Sequence, residues 1–169
     1  MRTRTDSPAP APRWAVRAAH AAALTTVPSG LWRIALGLGL PVGYSDQVLR
    51  QDFHIPGWGT VYVIGLSVVS EALALLTLGL VRPWGEVVPS WIPLLGGRRV
   101  RPLAAVVPAA LGSVALVLVW SGFASWWTTE EHPAMLGPWH TVVGVLYQPL
   151  VLWGPLLAAV TVSYYRRHR

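Results

Sequence analysis

Four long, nearly charge-free apolar stretches constrain this 169-residue chain more than any other feature. They lie at about 21–43, 60–81, 103–127 and 139–165, and the short loops between them alternate in the sign of their charge. As helices, stretches of about 22 to 27 residues rise about 33–40 Å, enough to cross a hydrocarbon core of roughly 30 Å with modest tilt. Helix is the only workable form, because hydrocarbon offers backbone groups no partners and four strands cannot close a barrel. Only 12% of the residues are charged and 53% are hydrophobic, whereas soluble domains carry roughly 25% charge. A soluble core can hide some of that apolar excess, but not whole runs of this length without a charge. The expected class is therefore all-α, a polytopic membrane protein with four transmembrane helices. Its membrane domain would cover residues 20–165, between an arm at 1–19 and a basic tail at 166–169.

Arginine placement gives the expected orientation. Arg2, Arg4, Arg13 and Arg17 fall in the arm, Arg82, Arg98, Arg99 and Arg101 in the second loop, and Arg166, Arg167 and Arg169 in the tail. The first and third loops contribute Arg50 alone, beside Asp46, Asp52, Glu130 and Glu131. Positive charge is retained on the cytoplasmic side, so both termini and the second loop are expected inside the cell membrane. Trp58, Trp84, Trp126, Trp127 and Trp139 mark span ends, and Tyr164 and Tyr165 precede the tail, as amphipathic rings at the headgroup level do. In the second loop, residues 87–95 are too apolar for a free loop and too few for another crossing pair. They read as a segment lying on the inner surface. Arginines ahead of an alanine-rich run also open secretory leaders, but the first stretch is too long and glycine-rich, and no small-residue cleavage site follows.

Composition excludes several chemistries. Cysteine and lysine are both absent, which removes disulfides, thiolate ligands and nucleophiles, Schiff bases and the P-loop lysine. The net charge of +6 follows alternate loops rather than one face, so anionic lipid headgroups, not nucleic acid, are the expected counterpart. The arm, with Pro8, Pro10 and Pro12 among small and polar residues, buries too little to order itself.

Two ionisable residues stand inside the apolar stretches: Arg33 in the first and Glu71 in the second. Counted from the cytoplasmic ends of the expected spans, they lie about 18 and 15 Å deep. Either charge alone costs about 2.5–3.5 kcal/mol near mid-bilayer, and a pair recovers part of that. An Arg33–Glu71 ion pair between the first two helices is therefore expected, either as a helix pin or as a proton relay with Glu71 as acid. Ser29 shares a helix face with Arg33, and Ser67 shares one with Glu71. On the fourth stretch His140, Gly144 and Gln148 recur at intervals of four, so Arg33, Glu71, Ser29, Ser67, His140 and Gln148 together outline a polar seam. Small residues and prolines that merely let helices pack give the same pattern. His54, Glu130, Glu131, His132 and His140 are the available metal ligands, but no spacing fixes a ligand set, and no metal or cofactor is expected. Gly37-Leu38-Gly39 sits within an apolar helix and so does not open a dinucleotide site.

Residues 27–33 (VPSGLWR), 71–79 (EALALLTLG), 83–93 (PWGEVVPSWIP), 153–155 (WGP) and 164–167 (YYRR) together resemble a group of small multi-pass membrane proteins of actinobacteria whose function is uncharacterised. That resemblance implies a four-helix membrane fold and no activity. On this reading the chain is a non-enzymatic accessory or interaction protein, with a second copy or another membrane protein as partner. The alternative is a small intramembrane enzyme or carrier for a lipid-like or isoprenoid substrate, with Glu71 as acid and Arg33 holding an anionic group.

Overall fold

The computed structural model describes residues 10–82, 85, 101–128 and 134–169. Among these residues the fold is entirely helical. The first helices are α1 (Arg13–Thr25) and α2 (Val27–Gly37), joined through Thr26, which keeps a right-handed helical backbone at φ −83° and ψ −24°. The two form one kinked rod. Pro28 supplies no N–H and crowds the carbonyl four residues earlier, while the Thr25 and Ser29 hydroxyls donate back to the carbonyls of Ala22 and Thr26. Such back-bonding bends a helix without breaking it.

The rod starts at Arg13, well before position 21, so the expectation of a disordered arm fails for residues 13–19. The reason is an amphipathic face. Ala15, Ala19 and Ala22 are 0% exposed, and small side chains at this spacing let α7 and α4 approach closely. The exposed Arg13, Arg17 and His20 stand off that face. The rod also ends early, at Gly37, and residues 38–43 turn back through Gly39 and Gly43 at φ 78° and 109°. The stretch once expected to end at 43 therefore loses its last turn and a half.

The loop at 44–59 contains α3 (Asp46–Gln51), whose N-terminus is capped by Ser45 accepting from the Val48 N–H at 3.4 Å. A cis Ile55–Pro56 bond and a left-handed His54 at φ 55° lead into α4 (Trp58–Gly79). Next comes α5 (Pro102–Ser121), extended by a 3₁₀ segment at Gly122–Thr128. The chain closes with α6 (Trp139–Tyr147), a 3₁₀ turn at Gln148–Leu152 and α7 (Trp153–Arg167), together a continuous rod. The 3₁₀ turn begins where Pro149 removes a helical donor, and Pro155 removes another in the first turn of α7.

Three of these helices are long and apolar enough to cross a membrane: Trp58–Gly79, Pro102–Trp126 and Trp139–Arg167. They match the second, third and fourth expected stretches within a few residues. The interfacial segment expected at 87–95, and Glu130, Glu131 and His132, lie outside the described residues.

Packing is uneven. Helix α5 rests mainly on α7, α2 on α4, and α1 on both α4 and α7. Three buried clusters succeed one another along the bundle: Ala19, Leu80, Val160 and Tyr164 near the tail; Ala22, Ala74, Leu150 and Trp153 at mid-height; and Leu36, Tyr44, Leu49 and Ile55 at the α3 end. Only 6% of the most apolar part of Pro102–Trp126 is buried within the chain. The tail is not a free basic appendage. Arg167 donates to the Leu80 carbonyl at 2.7 Å, satisfying an orphan acceptor at the C-terminus of α4, and its guanidinium lies over the Tyr164 ring.

Candidate functional site: a buried arginine under an aromatic cavity

Arg33 sits four residues from the end of α2, about 6 Å by helical rise. It points into the bundle and is only 6% exposed. Its Nε donates to the Ser67 hydroxyl at 3.0 Å. Ser67 in turn donates to the Val63 carbonyl at 2.9 Å, which leaves its lone pairs free for the arginine. Nη1 reaches the Tyr147 hydroxyl at 3.5 Å, and the guanidinium lies 5.6 Å from the centroid of that ring. A cation over an aromatic face gains about 0.5–2 kcal/mol. No carboxylate among the described residues pairs with it.

The Arg33–Glu71 ion pair is therefore corrected. Glu71 accepts from the Thr26 hydroxyl at 2.6 Å. In the antiparallel α2–α4 register, Arg33 stands opposite Ser67, and Glu71 lies one turn further along, about 6 Å away. A first helix beginning near residue 21 puts the two groups at equal depth; the helix begins at Arg13, which moves Arg33 towards the α3 end. A double-mutant cycle of Arg33→Leu and Glu71→Leu is expected to be additive within about 0.5 kcal/mol, since the two groups share no partner. Thermal unfolding in detergent measures this, and a coupling above about 1 kcal/mol would restore the direct pair. Glu71→Gln keeps an acceptor for Thr26 and is expected to cost less than about 1 kcal/mol.

The other seam residues do not line up into one channel. Ser29 is buried and spends its hydroxyl on the Thr26 carbonyl. His140 is buried, stacks on Trp126 at 4.7 Å, and leaves its Nε2 without a hydrogen bond. Gln148 is half-buried at the head of the 3₁₀ turn. Of the six, the structure brings together Arg33 and Ser67.

Above Arg33 opens a cavity of about 530 Å³, bounded by α2, the 44–59 loop, α4, the 3₁₀ segment after α5, and α6. Arg33, Leu36, Tyr44 and Val143 form its buried floor, while Asp52, His54, Trp58 and Tyr62 stand exposed at the rim. The walls are an aromatic shell. Trp32 meets Tyr147 edge-on at 5.7 Å, Tyr44 meets Phe53 at 4.9 Å, and Phe123 stacks on Trp126 at 4.8 Å and lies 5.7 Å from Tyr147. Trp32 is fixed by donating to the Val42 carbonyl at 3.1 Å. Burial pushes the Tyr44 phenol above its ordinary value, with Tyr147 adding to the effect.

Tyr147 does not belong to the seam outlined by intervals of four from His140 to Gln148. The intervals that share a helix face also include seven, and His140, Gly144 and Tyr147 satisfy that pattern. The aromatic walls had no periodic signal, because they come from five separate segments.

A second cavity, about 510 Å³, lies between α4, α5 and α7. Leucine, alanine, proline and glycine dominate its lining, with Thr77 and Trp153 the sole polar-bearing side chains. Glu71 lines neither cavity. Among the described residues no three histidine or acidic side chains gather as a metal site.

Compared with protein families, curated proteins and solved structures, the chain matches none.

Proposed function

We propose that this chain is an integral protein of the cell membrane, crossing it four times with both termini in the cytoplasm, and that it binds rather than transforms its partner. Three helices of sufficient length and apolarity support membrane residence. The α1–α2 rod supplies a fourth crossing: its 13- and 11-residue halves continue one another through Thr26 and pack antiparallel to α4. Together they rise about 37 Å. The arginine-rich arm, second loop and tail then share one side, and the α3 end with its aromatic cavity faces outward.

One observation carries the non-catalytic reading. The acid that an intramembrane enzyme would use, Glu71, is hydrogen-bonded to Thr26 and lines neither of the two cavities described above, whereas the first cavity presents a guanidinium, a group that binds anions and cannot act as an acid at ordinary pH. The cavity itself favours an accessory protein that holds a ligand, or a carrier, over an enzyme with Glu71 as acid. The topology has a direct check. The chain should pellet with membranes and resist extraction by carbonate, and a fluorescent protein fused after Arg169 should glow while a phosphatase at the same position stays inactive. The reverse pair of reporter results would sink the orientation, and recovery in the detergent-free supernatant would sink the membrane reading altogether.

A further inference from the structure

Resting on that reading, the geometry at the α3 end points to a specific class of occupant. We infer that the cavity above Arg33 is a binding site for a compact organic anion: one carboxylate or phosphate carried on a flat or branched apolar body. Arg33 has five N–H donors in a planar fork. Ser67 takes Nε and Tyr147 takes Nη1. Nη2 has no hydrogen-bond partner among the described residues, and it is not among the sealed, unsatisfied buried atoms. The free edge of the fork therefore faces the cavity that Arg33 lines.

The charge balance points the same way. A guanidinium that is nine-tenths buried, held by two neutral hydroxyls and one ring, lacks a counter-ion within the described residues. Asp52 is exposed at the rim and makes no ion pair with it. An oxyanion entering the cavity would meet the fork at its free edge, where charge-assisted hydrogen bonds are strongest. The walls set the rest of the molecule. Trp32, Tyr44, Phe53 and Phe123 offer ring faces and edges to an apolar body, and they give a bare inorganic ion nothing in return for its lost hydration. The volume, about 530 Å³, lies within the usual range for sites that enclose a small organic ligand. Phosphate chemistry of this kind has two sources: a free amphipathic anion arriving through the rim, or the headgroup of a bilayer lipid.

Calorimetry and thermal unfolding on the full chain in an uncharged detergent test this, with 1-naphthyl phosphate, 1-naphthoate, neutral 1-naphthol and inorganic phosphate as probes. Both organic anions should bind and raise the unfolding temperature; naphthol and inorganic phosphate should do so at least about tenfold more weakly. Arg33→Gln should abolish the preference for the anions over naphthol. Val63→Phe, which fills the cavity and leaves Arg33 in place, should weaken every organic probe. Nanodiscs of phosphatidylcholine with and without phosphatidic acid separate the sources: stabilisation by phosphatidic acid that Arg33→Gln removes assigns the site to a lipid headgroup.

Equal binding of naphthol and the anions, or binding of no anion from either source, overturns the proposal. The comparison within the wild-type chain decides this even if a variant fails to fold. A chain that pellets with membranes yet ignores every anion refutes the site and leaves the topology standing.

Discussion

Replacing Gly154 by leucine is expected to release α5 from the bundle and lower the stability of the protein by on the order of 3 kcal/mol or more. Even a single Cβ at this position would meet the Val117 side chain at 2.7 Å, the Val117 backbone nitrogen at 2.8 Å and the Ser113 carbonyl at 3.0 Å. Two of those neighbours are backbone, so no rotamer change relieves the clash. The consequence is large because α5 has little else to hold it. Its main neighbour is α7, and Ser113 is its one buried residue. Small residues that let backbones touch are what drives helix association where lipid is as apolar as leucine. Because the chain contains no cysteine, Gly112→Cys with Leu157→Cys gives a clean readout across the α5–α7 contact. That pair should cross-link on oxidation in an otherwise native chain and fail to do so when Gly154→Leu is added. Undiminished cross-linking with an unchanged unfolding temperature would show that α5 is held by something other than this contact.

Gly59→Ala should have an effect of similar size, on the order of 3 kcal/mol, at the opposite end of the bundle. A Cβ on Gly59 would collide with the Phe53 carbonyl and crowd the carbonyl carbon of His54 at 3.2 Å. The loop cannot yield cheaply. Ile55 donates to the Leu49 carbonyl at 2.8 Å, Phe53 to that of Val48 at 3.2 Å, and Ile55, Leu49 and Tyr44 form the buried cluster beneath. Lifting the loop exposes that cluster and removes one wall of the aromatic cavity. Trypsin cleavage after Arg50, which is exposed but locked in α3, should quicken markedly in the variant. Gly65→Ala serves as control: it sits in the same helix, its Cβ meets nothing, and alanine should gain up to about 1 kcal/mol of helix propensity. Equal behaviour of the two substitutions would mean that the loop is not seated on α4 as described.

The two glycines share a lesson about how this chain is built. Each permits a backbone approach that the sequence does not announce: Gly154 lies inside a run that reads as ordinary apolar helix, and Gly59 stands at the last position of the expected first loop. Their neighbours are 37 and six residues distant along the chain, and nothing local marks them as contacts. The Arg33 site has the same property at larger scale. Arginine within an apolar stretch is visible at once, and Ser67 belongs to an identifiable helix face. Its partner Tyr147 and the ring-lined space above it depend on which helices turn towards each other.

The sequence by itself determined the helical class, the positions of three apolar helices and the presence of two ionisable residues within apolar surroundings. Hydrophobic run length and charge placement are local quantities, and hydrocarbon permits few alternatives to helix. Only the tertiary structure decided that α1 begins at Arg13, because its alanine face is stabilised by α7 and α4 rather than by its own hydropathy. Only the tertiary structure separated Arg33 from Glu71, because helix register depends on side-chain packing, and an error of one turn, about 5.4 Å, is enough to exchange an ion pair for two unrelated hydrogen bonds.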